Sequence, residues 1–161
     1  MKRPSMRSLP VLALLATLFS SSLLLGAPAQ AALGGSVDSV AADTSALRGQ
    51  LRTTGFVDYD MHQISAGQLV VNEYVTRGGQ VFAITWHGPL PPNLQQLLGS
   101  YFPRFQSAAA AAHQVNPGIH RVFRLEQSDL VIRQAGRLRS FGGIAYLPAL
   151  VPSDVAIDQL Q

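Results

Sequence analysis

The chain has 161 residues, a formal charge of +3, no cysteine, 47% hydrophobic residues and 13% charged ones. That length suits one domain, and the charged fraction is about half of the roughly 25% usual in soluble domains. Without cysteine there is no disulfide framework, thiol nucleophile, cysteine-ligated metal or lipidated cysteine.

Lys2, Arg3 and Arg7 precede an uncharged run from Val11 to Leu25, which Gly26, Ala27 and Pro28 interrupt. Ala29-Gln30-Ala31 then supplies small residues around a cleavage point. This is the layout of a secretory signal peptide, expected over residues 1–31 with the cut after Ala31. A membrane span needs about 20 apolar residues. This run is shorter and contains Ser20, Ser21 and Ser22. No later run approaches that length, so no membrane span is expected in the mature chain, and its location is expected to be periplasmic or secreted.

The leader also carries the whole charge excess. After Ala31 nine acids face nine arginines, with no lysine. A role on nucleic acid or anionic membrane that rests on net charge is thereby excluded.

Residues 32–55 are rich in Ala, Gly, Ser and Thr, lack aromatics and show no sustained period. They read as a flexible N-terminal segment, which leaves 56–161 as a single domain. Phe56 to Ile64 reads as a strand. Leu69 to Thr76 and Val81 to Trp86 read as a hairpin around Gly78-Gly79.

Pro89, Pro91 and Pro92 stop the sheet. A helix follows, capped near Asn93. Leu94, Leu97, Leu98, Tyr101, Phe102 and Phe105 form its single apolar stripe. Pro103 would press on the carbonyl of residue 99, so a kink or break is expected there. The helix resumes through Ala108 to Ala112 and ends at Asn116-Pro117-Gly118. Ile119 to Gln127 and Leu130 to Gln134 read as a second hairpin turning at Ser128-Asp129. A last strand spans Arg137 to Phe141 or runs on to Tyr146, interrupted by Gly142-Gly143. The fold class is α+β: an antiparallel sheet of two hairpins plus flanking strands, packed on one long, kinked helix.

There is no nucleophile elbow, phosphate loop or zinc-binding His-Glu-x-x-His. His62, His87, His113 and His120 show no ligand spacing, so neither a metal nor a cofactor is expected, and no catalytic residue is assigned. Glu73 depends on hairpin register. A two-residue loop sets it opposite Ile84 on an apolar face. A three-residue loop sends it to the other face and gathers Tyr74, Phe82, Ile84 and Trp86 together, because a one-residue slip exchanges faces. The second register collects the aromatics and is preferred.

Glu73, Tyr74, Trp86 and His87 are the candidate functional cluster. Asp58, Asp60 and His62 share a strand face by parity. Trp86, Tyr101, Tyr74 and Tyr146 are either a stacking platform or core, and their positions favour core. Arg121, Arg124, Arg133, Arg137 and Arg139 form a candidate anion patch, since a guanidinium fork suits oxyanions.

Ala32-Leu33-Gly34-Gly35, Val71-Asn72-Glu73-Tyr74-Val75 and Gly79 to Pro89 together resemble a secreted proteobacterial family, domain of unknown function 2844. So do Leu94 through Leu97-Leu98-Gly99-Ser100-Tyr101-Phe102 and Phe141 to Pro148. The resemblance runs from about Phe56 to the C-terminus. It implies export and a single domain, and brings no catalytic or binding residues.

The expected function is a non-enzymatic binding or interaction module of the cell envelope, with an envelope protein or polymer as partner. Two alternatives stand beside it. One is an envelope hydrolase acting on glycan or peptide through Glu73 or Asp58. The other is a periplasmic small-ligand carrier, which needs a cavity between helix and sheet. The chain does not specify an oligomeric state.

Overall fold

The computed structural model describes residues 33–115 and 122–160. Helix α1 (Asp38–Ala46) is followed by strands β1 (Gln50–Gly55), β2 (Tyr59–Ala66), β3 (Leu69–Thr76) and β4 (Val81–Gly88). Next come α2 (Leu94–Leu98), a 3-10 turn (Gly99–Tyr101) and α3 (Phe102–Val115). Strands β5 (Val122–Glu126), β6 (Val131–Arg137) and β7 (Ser140–Tyr146) complete one seven-stranded sheet. Its order is β1-β2-β3-β4-β7-β6-β5, with every pair antiparallel. The expected α+β class is the observed one.

Each hairpin follows from local chain signals, but the sheet closes only where β4 meets β7. There Trp86 lies opposite Gly143. A Cβ on Gly143 would sit 2.7 Å from Trp86 Cε2 and 2.8 Å from the Arg133 carbonyl. Only glycine leaves room for the indole at that crossing.

One face of the sheet carries the main core. Ile64, Val71, Ile84, Trp86, Ile132 and Ala145 pack there under Leu97, Leu98 and Val40 from the helices. Each fully buried aliphatic side chain of this kind contributes about 1.5–3 kcal/mol. A forked pair, with Arg104 Nη1 and Nη2 each 2.8 Å from an Asp129 oxygen, ties α3 to the β5–β6 turn.

The other face is covered over only part of its area. Met61, Tyr74, Ala83, Tyr146, Val131 and Glu126 form one cross-strand row. The C-terminal segment lays Val151, Val155, Ile157 and Leu160 against this part of the face. Leu147 N–H donates to the Phe82 carbonyl at 2.9 Å; beyond it, the backbone bonds of the segment are local turns. Apolar burial therefore holds the segment in place.

Three expectations need correction. Residues 33–55, expected to be flexible, hold α1 and β1. Leu33 N–H donates to the Leu97 carbonyl, and residues 34–37 bond to residues 79–81. In α1 the polar side chains Thr44 and Ser45 bond back to the Val40 and Ala41 carbonyls. The helix thus has no apolar stripe to betray it, and it buries only Ser39, Val40 and Asp43.

The expected helix break does fall at residue 99, but glycine makes it rather than the proline ring. Gly99 takes φ +50°, a left-handed value that ends α2. Pro103 then sits in the first turn of α3, where its missing N–H needs no partner. Asn93 caps α2 as expected, its side chain accepting from Gln96 N–H at 3.3 Å.

Third, the register of β3 and β4 is not the preferred one. Glu73 opposes Ile84 and Val71 opposes Trp86. A bulge follows, with Tyr74 opposite Ala83 and Val75 opposite Val81. Phe82 is the extra residue, and it joins Tyr74 on the far face. Tyr74 and Phe82 do meet, but through the bulge, while Trp86 and Ile84 stay with Glu73. The expected helix end at Asn116-Pro117-Gly118 lies outside the described residues.

The β4–β7 crossing is testable by adding single methyl groups. Gly143→Ala should destabilise the fold by about 1–3 kcal/mol, the usual cost of overpacking. Gly142→Ala should be tolerated, since its Cβ would meet only ordinary contacts of 3.4 Å and 3.7 Å. Urea unfolding of both variants checks this, and equal midpoints would contradict the crossing as the tight point.

Candidate functional site

Two polar constellations stand out, one on each face of the sheet. The first is buried. Glu73 and Asp43 are both fully inaccessible. Asp43 comes from α1, Glu73 from β3, and Gln96 of α2 donates to Asp43 Oδ1 at 2.6 Å. No N–H or hydroxyl donor reaches Asp43 Oδ2 or either Glu73 oxygen. The remaining hydrogen bond open to the pair is a carboxyl proton held between two acids. Burial pushes the Glu73 carboxyl up to about 9; the Asp43 charge and the hydrogen bond between the two acids add to the rise. Burial also raises Asp43, while the hydrogen bonds from Gln96 and Glu73 oppose that rise. The pair therefore holds on to a proton well above the usual carboxylate range.

The second constellation is open. Gln63, Asn72, Thr85, Ile144, Arg133 and Arg124 form a single row across six strands. Beside it runs a row of smaller floor: Val70, His87, Gly142, Ala135 and Val122. Together they line an open groove of about 890 Å³, with Ile157, Asp158 and Leu160 of the C-terminal segment on its wall. Along the polar row Gln63 Nε2 donates to Asn72 Oδ1 at 3.2 Å, and Asn72 Nδ2 donates to Thr85 Oγ1 at 3.2 Å. Those two bonds satisfy the buried amide of Asn72. Arg133 Nε donates to Glu126 at 3.0 Å. A recess sharing His87, Val122, Ala135 and Gly142 continues toward Arg137.

The expected cluster of Glu73, Tyr74, Trp86 and His87 is therefore divided. Glu73 and Trp86 are buried under the helices, Tyr74 is buried on the opposite face, and His87 is exposed in the groove. The aromatics are core residues, and no stacking platform forms from Tyr74 and Trp86. Glu73 is fully inaccessible, beside Asp43 of α1.

Asp58 lies in the turn before β2, so strand parity does not reach it. Asp60 is paired with Arg77 at 3.1 Å, and His62 Nδ1 meets Thr53 Oγ1 at 2.9 Å. Of the arginine patch, Arg124 and Arg133 line the groove, Arg137 lines the recess, and Arg139 sits in the β6–β7 turn at φ +60°. Arg121 lies outside the described residues. Among the described residues no group of three or more His, Asp or Glu could hold a metal, and no helix is long and apolar enough to cross a membrane.

The groove residues Gln63, Asn72, Thr85 and Ala135 escaped the reading of the chain. Gly142-Gly143 inside a β-rich run was the available signal, since glycine within a strand marks close approach.

The acid pair makes stability depend on pH in a defined window. The unfolded chain releases the Glu73 proton near 4.5, and the folded chain keeps it to about 9. Its stabilising contribution is complete below the lower value and is lost as pH rises through the upper one. His62, lowered from 6.5, acts below pH 7, and Tyr59 and Tyr74, raised from 10.0, act above pH 9. Between pH 7 and 9 the urea midpoint should fall, by at most about 1.4 kcal/mol per pH unit for one proton. Glu73→Gln should flatten that slope, and identical slopes in the two proteins would exclude the shared proton.

No curated protein and no solved structure matches the chain. A family model described as "protein of unknown function (DUF2844)" matches residues 29–160. That match covers most of the sequence, the buried acid pair and the groove alike, and the chain is a member of the DUF2844 family.

Proposed function

We propose that this protein is an exported, non-enzymatic binding module of the cell envelope that takes its ligand in the open groove. One observation carries the reading. The C-terminal segment covers one row of that sheet face and leaves His87, Arg124 and Ala135 exposed beside it, with Gln63 and Arg133 half-buried and Asn72 and Thr85 buried beneath the groove. Small side chains let a ligand approach the strands, and amide, hydroxyl, imidazole and guanidinium groups supply orientation. The strongly shifted acid is on the opposite face, under the helices, away from the groove. The leader layout at residues 1–31 supports the envelope location.

The test places a photo-crosslinking residue at Ala135, exposed in the groove, and at Leu51, exposed on β1. Each variant is irradiated in cells and recovered from the periplasmic fraction. A defined adduct from position 135 and none from position 51 is the expected result. Equal adducts at both positions, or none at position 135, would reject the groove as the binding surface.

A further inference from the structure

Arg124 and Arg133 stand directly opposite one another on β5 and β6. Like charges in that position repel. Arg133 has Glu126 as partner. Arg124 and Arg137 make no ion pair or hydrogen bond among the described residues. All three project from the same face, because residues 133 and 137 share strand parity and 124 is registered with 133. The end of the groove at β5 and β6 therefore offers the guanidinium groups of Arg124 and Arg137 and the Nη donors of Arg133, none of which has an acceptor among the described residues.

The rest of the groove has a different chemistry. Gln63 uses Nε2 on Asn72, and its Oε1 has no partner among the described residues. His87 is exposed on the floor, and Asp158 faces the groove from the tail. These groups donate and accept, as hydroxyls do. Gln63 and Arg133 are four strands apart, roughly 19 Å, so a ligand touching both exceeds a simple ion.

The backbone of the floor is already committed. Strands β4, β7 and β6 are each paired on both sides. An extended peptide recognised by strand addition needs an unpaired edge, and the groove floor supplies none. Side chains alone must do the recognising.

Building on the groove reading above, we infer that the occupant is an acidic saccharide, with its oxyanion on Arg124 and Arg133 and its hydroxyls over Gln63, His87 and Asp158. Guanidinium forks bind carboxylate and sulfate alike, so the oxyanion itself is set by experiment. An acidic peptide is the competing occupant.

Calorimetric titration of the purified protein tests this with four probes of similar length. They are oligogalacturonate, a sulfated heparin oligosaccharide, neutral dextran oligosaccharide and oligoglutamate. At least one acidic saccharide should bind tenfold or more tighter than dextran and oligoglutamate. The better of the two acidic saccharides identifies carboxylate or sulfate as the group held. Arg124→Gln combined with Arg133→Gln should abolish that preference while the unfolding midpoint is maintained. Absence of binding by both acidic saccharides overturns the inference. So does equal binding of dextran, stronger binding of oligoglutamate, or an unchanged affinity in the double variant.

Ala135→Trp, which fills the floor, separates the two levels. If dextran binds as well as the acids and Ala135→Trp abolishes both, the anion assignment falls and the groove stands. If acidic saccharide binding survives Ala135→Trp, the groove itself is not the seat.

Discussion

The seven strands make one sheet because the Trp86 indole crosses β7 over Gly143. Strands β1 to β4 form one meander and β5 to β7 another, and β4–β7 is the pairing that joins them. On the helix side, the crossing lets Trp86 complete the core with Ile84, Ala145 and Leu97. On the groove side, the adjacent pair His87–Gly142 becomes floor. The Gly142-Gly143 dipeptide therefore serves both layers. One glycine admits a large ring from one side, and the other leaves space on the opposite side. A bulkier pair would separate the halves and close the groove together.

The two polar constellations follow from the same sheet by opposite physics. Glu73 and Asp43 are removed from water, so a single proton settles their repulsion, and Gln96 supplies the remaining donor. Their arrangement needs α1, β3 and α2 in place at once, which makes the pair a test of tertiary order. Arg124 and Arg133 remain in water, where solvent moderates their repulsion and keeps both available to a ligand. Burial turned one pair inward, and exposure left the other facing the groove.

Where the chain carried a strong local period, its structure was legible. The Leu69–Thr76 strand and the Leu94 to Phe105 stripe were readable because alternation and helical spacing are local. The α+β class followed from their order. Helix α1 was not readable, since hydroxyls bonded to its own carbonyls replace the usual apolar stripe. The β3–β4 register turned on one bulged residue, Phe82, which satisfied the aromatic grouping without moving Glu73. The arginine concentration was visible in the chain, but its alignment with Gln63, Asn72 and Thr85 was not. That row depends on β4 meeting β7, across more than fifty residues of intervening chain.

The C-terminal segment carries a consequence for engineering. Among the described residues beyond Leu147 its backbone–backbone bonds are to itself, and Val151, Val155, Ile157 and Leu160 hold it by apolar contact. It is a wall attached to the sheet without being woven into it. Exchanging residues 152–160 would resize the groove and replace Asp158 while leaving every strand register intact. The groove can thus be reshaped from the last few residues, with the sheet kept as a fixed chassis.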